Sequence, residues 1–104
     1  MNGERMSTDI QNKERVVVTL QPPKLWKVIF LNDDKTPMEL VIDLLITIFK
    51  HTEMSATEVT MEIHNTGSGI AGVYTHEIAE QRVIQATNLA RLNGAPLRIQ
   101  AEEE

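Results

Sequence analysis

The chain has 104 residues, of which 41 % are hydrophobic, so it can form one small domain with a single core. Its formal net charge of −5 argues against nucleic acid or an anionic membrane as the main partner. The absence of cysteine excludes disulfides, thiolate catalysis and cysteine-ligated zinc. No apolar run approaches the roughly 18 residues of a membrane span, and the first residues lack the apolar core of a signal peptide. We therefore expect a cytoplasmic protein. We also expect it to act as a monomer.

Residues 1–23 are polar and charge-balanced and have no helical period, which predicts a flexible N-terminal extension. The folded domain is expected over residues 24–104. It begins with "LWKVIFLN", residues 25–32, whose β-branched and aromatic side chains are typical of a strand.

A strong helix start follows this strand. Thr36 is a suitable N-cap, Pro37 suits the first helical position, and Glu39 stands three residues after the cap, which together predict a capping box. The helix that follows has a narrow polar stripe between two apolar faces, so we expect it to be packed on two sides.

A second capping box, Ser55 with Glu58, predicts a helix that ends at Gly67. Residues 69–75 are predicted as a short strand, and Thr75 as the cap of a third helix that ends before Gly94. The alternation in residues 97–101 predicts a closing strand. The order β-α-α-β-α-β predicts an α+β fold in which a three-stranded antiparallel sheet packs against three helices.

Two patterns that could carry catalytic or cofactor chemistry are weak. The "GSGIAG" of residues 67–72 matches G-x-G-x-x-G, but it closes a helix and enters a strand, whereas the dinucleotide fingerprint follows a strand and opens a helix. The three histidines could form a metal site with nearby carboxylates, but no ligand spacing supports one. The candidate ligands are His51, His64, His76, Asp33, Asp34 and Glu77.

The acidic turn "NDD", residues 32–34, has two readings. Asn and Asp commonly bond to nearby backbone N–H groups, so these residues could simply turn the chain. Thr36 already supplies a cap, however, which makes two further carboxylates surplus. His64 shares one helix face with Thr60, and if that face meets the turn, Asn32, Asp33 and His64 would converge as hydrogen-bond acceptors.

Four segments together resemble the ClpS adaptor family: "WKVIFLNDDKTPMELVIDLL", "MEIH", "GVYTHEIAE" and "APL". The resemblance covers roughly residues 24–101. It implies an adaptor, not an enzyme, without cofactor or metal. Such an adaptor binds proteins with a destabilising first residue (N-degrons) and delivers them to the N-terminal domain of the ClpA unfoldase of the ClpAP protease.

The resemblance also implies roles for individual residues. Asn32, Asp33 and His64 would bind the α-amino group of the substrate, and Glu77 and Arg82 would dock ClpA. Residues 1–23 would be the mobile arm that the family uses in delivery. The pocket and its gate would be formed by a further set: Asp34, Thr36, Met38, Val41, Thr60, Ile63 and Leu97.

One departure from the family concerns the pocket wall. Thr60 stands where the family usually has Met, so we expect a pocket of altered shape and an altered ranking among substrates that begin with Leu, Phe, Tyr or Trp. Two rival hypotheses stay open at this point. One is a protein-interaction domain of the same fold without N-degron activity, and the other is a small metal-dependent enzyme.

Overall fold

The computed structural model describes residues 21–104, so residues 1–20, most of the predicted flexible extension, lie outside the described part. The predicted α+β architecture is confirmed. Its elements follow in the order β1 (Leu25–Leu31), α1 (Met38–Thr47), α2 (Glu53–Thr66), β2 (Ser68–Thr75), α3 (His76–Leu92) and β3 (Arg98–Glu103).

The sheet has the strand order β2-β1-β3, and both pairs are antiparallel. In β1 the side chains alternate between two environments, as the strand period of two requires. Val28 and Phe30 are fully buried under the helices, whereas their neighbours are half-buried. A register shift against β2 lies between Val28 and Ile29. The central position of β1 places its carboxyl end, and the acidic turn that follows, between the ends of both neighbouring strands.

The first helix is packed on two sides, as its two apolar faces predict. It contacts both α2 and α3, and Leu44 and Leu45 are fully buried. Just beyond its end, the ring of Phe49 meets that of Phe30 edge-on, with 5.4 Å between the ring centroids. The rest of the core is aliphatic, in keeping with the low aromatic content of the chain.

The predicted capping box at Ser55 and Glu58 is wrong by one turn. Thr52 is the N-cap of α2: its hydroxyl accepts the backbone N–H of Ser55, and the Ser55 hydroxyl accepts the backbone N–H of Thr52. Serine and glutamate can both close such a box, and the local sequence offers both registers. The helix therefore begins at Glu53, which leaves Glu58 well inside it.

The last helix ends as its glycine and proline predict. The N–H of Gly94 bonds to the carbonyl of Arg91, and the N–H of Ala95 reaches back to the carbonyl of Ala90. This pair of bonds is the Schellman arrangement that closes many helices. It turns the chain sharply, so that Leu97 is buried and β3 returns beside β1. Among the helices within residues 21–104, none is long and apolar enough to cross a membrane.

Candidate functional site

A pocket opens where the acidic turn meets the first two helices. Its lining combines four parts of the fold: the end of β1 and the turn after it, the first turns of α1, the second half of α2, and the residue before β3. The lining residues are Leu31, Asn32, Asp33, Thr36, Met38, Val41, Thr60, Ile63, His64 and Leu97. Nine of these ten were expected from the sequence.

Asp33 organises the turn, and the predicted capping role of Thr36 is wrong. Oδ1 of Asp33 accepts the backbone N–H groups of Lys35 and Thr36, each at 2.7 Å. Oδ2 accepts the hydroxyl of Thr36 at 2.8 Å. The N-cap of α1 is Pro37, which makes no side-chain cap bond. Asp33 is a better acceptor than a hydroxyl because it is charged, so the carboxylate takes the N–H groups at the entry to the helix.

These bonds also fix the charge of Asp33. Partial burial by itself would raise the pKa of this carboxyl group. The hydroxyl of Thr36, the two backbone N–H groups and the positive charge of Arg91 outweigh it and hold the pKa of Asp33 below its ordinary value of 3.8. The group is therefore an anion at any physiological pH.

The pairing of β1 with β2 brings Asn32 and His64 to the same pocket. Leu31 is the last residue of β1 to pair, and it faces Ser68. The backbone N–H of Asn32 then bonds to the carbonyl of Gly67 at 2.9 Å. Gly67 ends α2 with a φ of 99°, which other residues rarely adopt. Since His64 lies in the last turn of this helix, the bond joins the acidic turn to the helix end that carries the imidazole.

The pocket walls are apolar and the cavity is small. Ile63 and Leu97 are almost fully buried, and Met38 is 40 % exposed at the start of α1. The cavity volume is about 50 Å³. Because one water needs roughly 10–15 Å³ by such a measure, only a small group fits before a side chain moves. The flexible side chain of Met38 is the one best able to move.

Thr60 lies in this wall as expected, but it presents little polarity there. It is only 3 % exposed, and its hydroxyl donates to the carbonyl of Ala56 one turn earlier, at 2.7 Å. The hydroxyl proton is therefore already used within α2. What distinguishes Thr60 from a longer side chain is its smaller volume.

The packing behind Ile63 depends on a glycine that sequence reasoning did not connect with the pocket. A Cβ atom on Gly69 would lie 2.8 Å from Cγ1 of Ile63 and 3.4 Å from Val59. Any side chain at Gly69 would therefore force Ile63 to move at the contact between α2 and β2. Leu31 was also missed, although its place directly before Asn32 in a strand could have indicated it.

The candidate metal ligands do not come together. Within residues 21–104 there is no group of three His, Asp or Glu side chains placed to hold an ion. His51 instead bridges α2 and β2: Nε2 donates to the carbonyl of Ala71 at 2.6 Å, and Nδ1 lies 2.8 Å from Oγ of Ser55. His76 stacks on Trp26, with 4.1 Å between the ring centroids.

Comparison with known families agrees with this geometry. The family model described as ATP-dependent Clp protease adaptor protein ClpS matches residues 21–100 of this chain. The chain belongs to the ClpS family.

Curated ClpS proteins match along most of their own length. The ATP-dependent Clp protease adapter protein ClpS of Bdellovibrio bacteriovorus is 47 % identical over 90 residues, which are 86 % of this chain and 79 % of that protein. The ClpS of Deinococcus radiodurans is 46 % identical over 82 residues, which are 79 % and 73 % of the two chains. This ClpS chain is thus an adaptor of the Clp protease.

A solved ClpS structure shares the fold and contains a small ligand. It is the structure of Agrobacterium tumefaciens ClpS2 bound to L-phenylalaninamide. It is 40 % identical to this chain, covers 80 % of it and 100 % of the other chain, and has a TM-score of 0.77.

The remaining predicted ClpS residues lie outside the pocket lining. Asp34 is exposed and follows Asp33 in the turn, but it is not among the lining residues. Glu77 is exposed in the first turn of α3. Arg82 lies one and a half turns further along the same helix, 5.8 Å above the ring of Tyr74. The expected docking residues therefore belong to a different surface from the pocket.

Proposed function

We propose that the pocket binds the first residue of N-degron substrates. The α-ammonium group would be held by Asn32, Asp33 and His64, and a bulky apolar side chain would enter between the walls. One observation carries this proposal: three acceptor side chains, one of them an anion at physiological pH, line the same pocket as Met38 and Leu97. A free N-terminus offers the complementary pair, a cation with three donors beside an apolar side chain.

The acceptors suit an ammonium group. A carboxylate has about four lone-pair positions, and three of those on Asp33 are used by the turn. The fourth, on Oδ2, can accept one N–H of the ligand and supplies the charge. Asn32 can add its amide oxygen, and His64 a ring nitrogen, either directly or through water. Each charge-assisted bond contributes about 1.5–3 kcal/mol.

The walls suit a side chain such as that of Leu, Phe, Tyr or Trp. Burial of one such side chain contributes roughly 1.5–3 kcal/mol. After the costs of association, the bonds to the ammonium group and the burial of the side chain together support a Kd near ~1 μM, or about −8 kcal/mol. Neither contribution suffices alone, so the adaptor would require both a free amine and a fitting side chain. L-phenylalaninamide, the ligand of the solved ClpS2 structure, carries both groups.

Delivery would use a second surface. We place the contact with the N-terminal domain of ClpA at Glu77 and Arg82, which lie on α3 away from the pocket. The protein would act in the cytoplasm as a monomeric adaptor without catalytic residues of its own. Separate surfaces would allow one adaptor to hold its substrate and the unfoldase at the same time.

A peptide array with every possible first residue tests the binding proposal. Peptides that begin with Leu, Phe, Tyr or Trp should bind, and N-acetylated copies of the same peptides should not, because acetylation removes the charge and two of the donors. Equal binding of free and acetylated peptides would instead favour an interaction domain without N-degron activity.

A delivery assay tests the second surface separately. The double variant Glu77→Ala, Arg82→Ala should bind N-degron peptides as well as the unsubstituted protein does. It should nevertheless fail to promote their degradation by ClpA with its peptidase. Normal degradation with this variant would place the docking surface elsewhere.

A further inference from the structure

Arg91 holds the backbone that forms one wall of the pocket. It lies in the last turn of α3, and its Nη1 donates to the carbonyl of Ala95 at 3.0 Å and to that of Leu97 at 2.8 Å. Both acceptor residues are buried, and Leu97, at 1 % exposure, lines the pocket. One guanidinium nitrogen thus fixes two carbonyls in the segment between α3 and β3.

The backbone hydrogen bonds that flank Leu97 belong to the end of α3 and to the start of β3. The paired part of β3 begins at Arg98, opposite Leu31, so Leu97 lies just before the first ladder position. The Schellman bonds of α3 end at Ala95. The bond from Arg91 to the carbonyl of Leu97 therefore lies between the last backbone hydrogen bond of α3 and the first paired residue of β3.

We propose that Arg91 is a positioning residue for the pocket, which fixes the Leu97 wall through its bonds to the carbonyls of Ala95 and Leu97. The inference rests on the proposed function, because this effect is read out through peptide binding. Arg91 is not among the lining residues, so it would act only through Leu97.

Three variants test this role. Arg91→Gln removes the charge and shortens the donor. Arg91→Lys keeps the charge but replaces the planar head with a compact ammonium group. Arg98→Gln makes the same charge change on the residue after Leu97, at an exposed position outside the pocket lining, and serves as the matched control. Binding of Leu, Phe, Tyr and Trp peptides is measured for each variant by fluorescence anisotropy at neutral pH.

With Arg91→Gln we expect a roughly 2- to 30-fold loss of affinity and an altered ranking of first residues. Arg91→Lys should also alter the ranking, because a compact ammonium group does not reproduce the planar head. Arg98→Gln should change neither the affinity nor the ranking.

Unchanged affinities and an unchanged ranking in Arg91→Gln would overturn the inference. So would a change in Arg98→Gln as large as that in Arg91→Gln, because it would show a general effect of charge. If circular dichroism shows that Arg91→Gln is unfolded, Arg91→Lys decides: wild-type affinity and ranking in it would overturn the positioning role. Equal binding of free and acetylated peptides by the unsubstituted protein would overturn the proposed function and this inference together.

Discussion

The charge of Asp33 can be removed while most of the turn is kept. In Asp33→Asn the amide oxygen can still accept the backbone N–H groups of Lys35 and Thr36, which Oδ1 accepts in the native turn. The other position becomes an NH2 group, which can donate to the hydroxyl of Thr36 after that hydroxyl rotates. We therefore expect the free energy of unfolding to fall by only about 1 kcal/mol.

Peptide binding should suffer far more than stability. Oδ2 accepts one bond in the turn, from Thr36 at 2.8 Å, so its remaining lone pair is the charged acceptor available to an ammonium group. In Asp33→Asn that acceptor becomes a donor, which faces the ligand's own N–H groups. Loss of one charge-assisted bond costs about 1.5–3 kcal/mol, which corresponds to a roughly 10- to 150-fold higher Kd.

Fluorescence anisotropy with labelled peptides that begin with Leu, Phe, Tyr and Trp measures this loss. The four peptides should lose affinity by similar factors, since the amine is common to all of them. Asp34→Asn makes the same charge change one residue away, at a side chain outside the pocket lining, and should cost less than about threefold. Two results would refute the reasoning: equal losses in the two variants, or a change in ranking without a general loss.

Three further predictions concern the walls and the acid stability. Thr60→Met should weaken binding of Trp and Tyr peptides more than that of Leu peptides, because a longer side chain fills a cavity of about 50 Å³. Met38→Ala should admit peptides that begin with Ile or Val, because the thioether no longer crowds a branched Cβ. The lowered pKa of Asp33 means that its contribution to the free energy of unfolding is complete above pH 3.8 and is lost as the pH falls below it. When thermal unfolding is measured from about pH 2 to pH 6, Asp33→Asn should lose less stability in acid than the unsubstituted protein, because it has no carboxylate to protonate at position 33.

Each of these predictions has a control or a contrary result. Thr60→Val removes only the hydroxyl that bonds to Ala56, so it should keep the native ranking; a ranking shifted by Thr60→Val but not by Thr60→Met would contradict the volume explanation. Continued rejection of Ile and Val by Met38→Ala would place the gate elsewhere. Identical acid destabilisation with Asn or Asp at position 33 would show that other groups control it.

The acidic turn shows what local sequence could and could not predict. Asn32, Asp33 and His64 were chosen from the sequence and do line one pocket. The expectation that Thr36 caps the helix and leaves both carboxylates surplus was wrong, because Asp33 itself organises the turn and Thr36 is its donor. Capping residues and turn residues can accept hydrogen bonds from the same few backbone N–H groups. Which side-chain oxygen accepts them depends on backbone angles that a sequence pattern does not fix.

The sequence by itself determined the order of strands and helices, the apolar faces that form the core, and the residue types available to a binding site. These features depend on contacts between residues a few positions apart, which the periodicity of a single chain records. The tertiary structure decided which side chains meet. The bond from Asn32 to Gly67 and the two bonds from Arg91 to Ala95 and Leu97 depend on how strands pair and how a helix ends against them. For that reason no local pattern indicated that Gly69 and Arg91 support the site.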